Sequence, residues 1–137
     1  MRRAALACAG AALLAAAVTG CGTPSPDLFV MKRDGTVPGA KLTLLVSDQT
    51  ARCNDGPVKQ LTSAQILEAR DILRELLDVQ AGSVEIPKAP PAQIFSFAVT
   101  TEKGTLRYPD TAQRPSILPR LTLFVRRVAI DTCGLRR

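Results

Sequence analysis

The chain has 137 residues, 46% of them hydrophobic and 22% charged, with a net charge of +6. Four phenylalanines, one tyrosine and no tryptophan are too few to build a base-stacking platform, so the positive charge does not amount to a nucleic-acid surface. Histidine is absent, which removes Ser-His-Asp and Cys-His nucleophiles and any His-ligated metal site.

The N-terminus opens with the basic Met1-Arg2-Arg3, followed by an uncharged apolar run from Ala4 to Val18. That run is too short to cross ~30 Å of hydrocarbon as a helix, so residues 1–20 are expected to be a signal peptide and not a membrane span. The run closes on Val18-Thr19-Gly20-Cys21. This stretch resembles the lipobox of small bacterial cell-envelope lipoproteins. The resemblance covers the leader alone and implies cleavage after Gly20, with a diacylglyceryl group on the Cys21 thiol. Two acyl chains, at ~0.8 kcal/mol per buried CH₂, anchor stably where one chain is marginal. An ordinary secreted protein with a cysteine near its cleavage site is the alternative. Cys8 lies too early in the apolar run to serve.

Removal of residues 1–20, which hold Arg2 and Arg3, leaves 117 residues with 16 basic and 12 acidic side chains, about +4. The expected organisation is a lipidated tether over 21–27 and a single α+β domain over 28–137. The tether holds Pro24 and Pro26 and spans at most about 20 Å at ~3.3 Å per residue, so the domain rides close to the bilayer. Cys53 and Cys133 are the pair left in an exported chain, and a disulfide between them is the simplest use of both. A free thiol or an intermolecular bond is the other option.

Leu28-Phe29-Val30-Met31 is expected to form a first strand, ended by Asp34-Gly35. Lys41–Val46 follows with Leu42, Leu44 and Val46 on one face, then a turn at Ser47-Asp48-Gln49 and a strand Thr50–Cys53, closed by Asn54-Asp55-Gly56-Pro57. Thr62 with Gln65 forms a capping box for a helix that Gly82 would end in the left-handed conformation. Its apolar stripe is Ile66, Ala69, Leu73, Leu76 and Leu77, with Glu68, Asp71, Arg74, Glu75 and Asp78 on a solvated side.

Residues 83–93 contain Pro87, Pro90 and Pro91 without periodicity and predict a stiff exposed loop. Gln93–Thr100, with Phe95, Phe97 and Val99 inward, and Thr105–Tyr108 predict a second hairpin turning at Glu102-Lys103-Gly104. Residues 116–132 suit a helix capped by Ser116, with Ile117, Leu121, Phe124, Val125, Val128 and Thr132 in a stripe and Gly134 as terminator. A strand over 120–125 is also compatible with the β-branched content, so 120–130 stays open between the two. The fold class expected is α+β: an antiparallel sheet of about five strands with two helices on one face and one disulfide.

No serine lies in a G-x-S-x-G turn or an S-x-x-K spacing, and no calcium or phosphate loop is present. The expected function is therefore a non-enzymatic binding or accessory module of the cell envelope, without metal or cofactor. It is anchored on the extracytoplasmic face of the cell membrane through lipidated Cys21, with an envelope protein as candidate partner. On a helical reading of 116–132, Leu123 and Ile130 leave the stripe beside Arg126 and Arg127, a candidate patch for that partner or for lipid headgroups. The order of strands, helix, stiff loop, hairpin and late cysteine resembles the layout of subtilisin-inhibitor-like proteins. That likeness implies a protease-binding loop at 83–93 with Lys88 as its contact residue. The chain departs from those inhibitors in having no cysteine beside the loop, a lipobox leader and a long terminal helix.

Overall fold

The computed structural model describes residues 27–82, 85–91 and 93–136; the expected leader, Cys21 and the rest of the expected tether up to Pro26 lie outside them. The described residues form a six-stranded antiparallel sheet with two helices. The strands are β1 (Asp27–Gly35), β2 (Leu42–Ser47), β3 (Thr50–Cys53), β4 (Lys59–Gln60), β5 (Phe95–Thr101) and β6 (Gly104–Pro109). The helices are α1 (Ser63–Ala81), between β4 and β5, and α2 (Ile117–Arg127), after β6. Strand order is β4-β3-β2-β1-β5-β6, so the first strand sits centrally and each half of the chain adds strands to one of its edges.

Alternation fixes which face is covered. Phe29 and Met31 of β1, Leu42, Leu44 and Val46 of β2, Ala51 of β3, and Phe97 and Val99 of β5 are all buried, whereas their sequence neighbours Val30, Lys32, Thr43, Leu45, Arg52, Ser96 and Ala98 are half-buried or exposed. Successive side chains on a strand point to opposite faces, so the buried set is one face. Both helices pack there: Ala69, Ile72 and Leu76 of α1 and Ile117, Leu118, Leu121, Phe124 and Val125 of α2 join the same core.

The expected class holds, with six strands in place of five. The sixth, β4, is only Lys59-Gln60, both exposed, and is held by backbone pairing of Thr50 with Gln60 and Ala51 with Lys59. No apolar pattern marks it, because it buries no side chain.

Residues 117–127 are helical, and the competing strand reading is excluded. A helix gathers Leu121, Phe124, Val125 and Val128 onto one side, whereas a strand would send Phe124 and Val125 to opposite faces. Pro119 stands in the first turn, where its missing N–H removes no intrahelical bond. Ser116 does not cap by its side chain: it is already helical (φ −55°, ψ −21°), because the turn begins at Pro115, whose carbonyl accepts from Leu118 N at 3.0 Å. After Arg127 the helix widens into a π-helical turn over Val128–Thr132, with Cys133 N donating to Val128 O at 3.0 Å. Gly134, at φ 69°, then ends it in the left-handed conformation, as expected.

The capping box at Thr62 is present: Thr62 N donates to Gln65 Oε1 at 2.9 Å and Gln65 N to Thr62 Oγ1 at 3.2 Å. Gln65 Nε2 also donates to Thr132 Oγ1 at 3.0 Å, tying the start of α1 to the end of α2. Gly82 departs from expectation. It is extended (φ −93°, ψ 166°): its own N–H closes the last turn on Asp78 O (3.1 Å) and Val79 O (3.3 Å), so no left-handed residue is needed to end the helix.

The α1 stripe is also shifted. Ile72 is fully buried, Leu77 only half, and Leu67 is 64% exposed. The cause is α2 packed alongside: Glu68 pairs with Arg127, and Glu75 and Asp71 with Arg120. Acids expected on a solvated side thus bridge the two helices.

Cys53 of β3 and Cys133 are disulfide-bonded, Cα–Cα 6.2 Å apart across a separation of 80 residues. Asn54, at φ 52°, turns the chain directly after Cys53, and its Oδ1 accepts from Thr43 N at 2.9 Å. Asn is one of the few non-glycine residues that visit that conformation readily.

A candidate ligand cleft on the open sheet face

Because the helices cover one face only, the outward-pointing residues of the strands, polar and apolar mixed, meet at the other. Strand register converts that phase into rows. Arg107 lies opposite Ala98, Ala98 opposite Lys32, and Lys32 opposite Thr43. The adjacent row runs Thr105, Thr100, Val30, Leu45, Arg52. Pro109, Ser96 and Asp34 make a third, shorter row.

Between α1 and β5, residues 86–89 and Gln93 lie beside these rows. Ile86, Pro87, Ala89 and Gln93 wall a cleft of about 580 Å³ whose floor includes Lys32, Asp34, Ser96, Ala98, Thr100 and Arg107. That volume lies within the ~300–1,000 Å³ usual for small-ligand sites. Ile86 packs against the core and holds the segment down. At its far end Asp110 Oδ2 accepts from Ile94 N (3.1 Å) and Phe95 N (2.9 Å), and Thr36 N donates to Ile94 O (3.3 Å), which fixes the wall to β6 and β1.

Charge is sorted between the two faces. Among the described residues, every ion pair joins α1 to itself, to α2 or to Asp48. Lys32, Arg52 and Arg107, on the open face, take part in none of them. Asp34, the acid on the floor, has Oδ1 engaged with Gly35 N at 2.8 Å. The Thr100 and Thr105 hydroxyls share a hydrogen bond of 2.8 Å. Gln93 Oε1 is buried and meets no donor among the described residues.

Behind the floor, Tyr108 stacks on Phe97 (centroids 5.2 Å apart) and its hydroxyl lies 3.2 Å from Thr122 Oγ1. Burial pushes the pKa of Tyr108 well above the ordinary tyrosine value, the Thr122 contact opposing this weakly, so the phenol stays neutral. Arg33 braces the β1–β2 connection: Nε donates to Ala40 O at 2.8 Å, Nη2 to Gly39 O at 3.3 Å, and the guanidinium lies 5.1 Å from the Phe95 ring centroid. Partial burial lowers its pKa from the usual arginine value.

The residues singled out from sequence fall in other places. Lys88 is exposed between Pro87 and Ala89, both of which wall the cleft. The disulfide lies away from that loop, between β3 and the end of α2. On the outer side of α2, Leu123 is 57% exposed and Arg126 is exposed, but Arg127 Nη2 is held by Glu68 Oε1 at 2.6 Å and Ile130 is half-buried. Cys21 lies outside the described residues. Among the described residues no three His, Cys, Asp or Glu side chains are placed to hold a metal ion, and no helix is long and apolar enough to cross a membrane.

The cleft residues Lys32, Ser96, Ala98 and Arg107 escaped the sequence reading. Their signal was the polar phase of strands whose apolar phase was plain.

Comparison with models of known protein families, with curated proteins and with solved structures finds no match for the chain.

Proposed function

We propose that this protein is a lipid-anchored, extracytoplasmic binding module of the cell envelope, non-enzymatic, that takes its ligand in the cleft between the Pro-rich segment and the open sheet face. The observation that carries the reading is the cleft itself: about 580 Å³, floored by hydroxyls and by cations that join none of the ion pairs among the described residues, with a wall held by the packing of Ile86 and by the Asp110 hydrogen bonds to Ile94 and Phe95. Such a site binds without needing to rearrange, which keeps the ordering cost of association low. The lipobox-like Val18-Thr19-Gly20-Cys21 supplies the anchor in this reading, and mass spectrometry of the mature N-terminal peptide checks its acylation.

Chemistry is a weaker use of the same residues. Ser96, Lys32 and Asp34 share the floor, but no hydrogen bond joins their side chains into a nucleophile and base.

Ala98 is the place to test this. It is half-buried on the floor, on the face away from the core, so Ala98→Trp fills the cleft without entering the hydrophobic interior. Full-length protein is expected to co-sediment with the insoluble polymer fraction of the envelope. Ala98→Trp should weaken retention at least about tenfold, a change of ~1.4 kcal/mol. Leu123→Glu with Arg126→Glu, on α2, should leave it unchanged. Undiminished retention of Ala98→Trp, or loss in the α2 variant alone, would refute the placement of the site.

A further inference from the structure

We propose that the cleft takes an extended chain of acidic sugars, its carboxylates seated between Arg107 and Lys32. This rests on the reading of the cleft as the ligand site and adds the ligand's chemistry. The floor is built around Ala98, which has Arg107 opposite on one side and Lys32 on the other. Two strand spacings of ~4.8 Å put the two cations' backbones about 10 Å apart, with only a methyl group between them. An anionic group fits that notch: it meets a guanidinium on one flank, an ammonium on the other and no bulk beneath.

Of the remaining lining, Asp34 is the one acid, its Oδ1 engaged by Gly35 N, and the rest suits hydroxylated carbon. Ser96, Thr100 and Thr105 present hydroxyls that donate and accept. Ile86, Pro87 and Ala89 offer an apolar wall to the C–H face of a ring. Beyond Lys32 the open face continues through Leu45 to Arg52, two strands further on, so a chain leaving the cleft meets another cation that forms no ion pair among the described residues.

Competing anions fit less well. A planar lipid surface offers its headgroups in a flat array, whereas Lys32 and Arg107 line a concave cleft walled on one side by Ile86, Pro87 and Ala89. Nucleic acid lacks a stacking partner, because Phe97 and Tyr108 are buried and stacked on each other.

The experiment is calorimetric titration of the full-length protein, in neutral detergent, with oligogalacturonate. Neutral malto-oligosaccharide and phosphatidylglycerol vesicles are run in parallel. Oligogalacturonate should bind at least about tenfold more tightly than the neutral sugar. Raising salt from about 0.05 to about 0.5 M should weaken it, since exposed charges are screened. Lys32→Glu with Arg107→Glu should abolish it, and Arg74→Glu on the helix layer should not. Equal affinity for acidic and neutral sugars, or unimpaired binding by the Lys32/Arg107 variant, overturns the proposal. So does tighter binding to vesicles through the same two cations. If oligogalacturonate fails while Ala98→Trp still releases the protein from envelope polymer, the ligand class is wrong and the site stands. If Ala98→Trp has no effect either, both fall.

Discussion

Replacing Cys53 and Cys133 by alanine lowers the stability of the fold by about 4.5 kcal/mol, the loop-entropy value for a bond joining residues 80 apart. For a domain of this size that corresponds to a midpoint roughly 15–20 °C lower in a thermal melt followed by circular dichroism. The bond acts mainly on the unfolded chain. Without it, the ends of a segment holding β4, α1, β5, β6 and α2 are free to separate before folding brings them together. In the folded state it joins β3, near one sheet edge, to the π-helical turn after α2. Amides of residues 128–135 should therefore lose hydrogen-exchange protection first. The cleft lies on β1, β5 and β6 and on the other face, so ligand binding well below the midpoint should survive. A melt unchanged by the double substitution would show that the bond contributes nothing to the fold.

Phe124→Ala should cost about 4 kcal/mol, within the range for a large aromatic removed from a core. Phe124 is 1% exposed and lies where α2 meets the sheet, its ring edge-on to Phe29 of β1 with centroids 6.2 Å apart. Deletion loses the buried area, leaves a cavity against the central strand and removes an aromatic pair worth a further ~0.5–1.5 kcal/mol. Leu121, Val125 and Val128, which share its side of the helix and its core, are themselves fully buried, so the site has little room to collapse. Phe124→Leu, which keeps most of the volume, should cost about half as much. Urea denaturation checks this: the midpoint should fall while the slope stays constant, because the surface exposed on unfolding hardly changes. A loss below about 1 kcal/mol would mean that α2 packs on the sheet through other residues.

Much of the fold was legible from local signals. The Thr62/Gln65 capping box, the alternation of Leu42, Leu44 and Val46, and the left-handed Gly134 each answer a requirement that neighbours in sequence impose. What escaped was set by contacts distant in sequence. The two residues of β4 form because β3 offers an unpaired edge. Glu68, Asp71 and Glu75 looked solvated because the arginines that meet them come from α2.

The cleft was hidden for the same reason in stronger form. Lys32 and Arg107 are ordinary polar positions in their own strands. They flank Ala98 only because β5 lies between β1 and β6, a property of strand order and register. The patch expected on α2 was a helical-wheel inference. Placing α1 beside α2 turned one of its arginines into an interhelical partner and half-buried Ile130.

The most direct test of the ligand site is lysine acetylation footprinting, comparing full-length protein on intact cells with purified protein in detergent. Lys32 lies on the cleft floor and Lys59 on β4 at the far sheet edge, and both are exposed in the protein alone. Lys32 should be shielded on cells while Lys59 reacts equally in both states. Equal reactivity of Lys32 on and off the cell would contradict occupation of the cleft in the envelope.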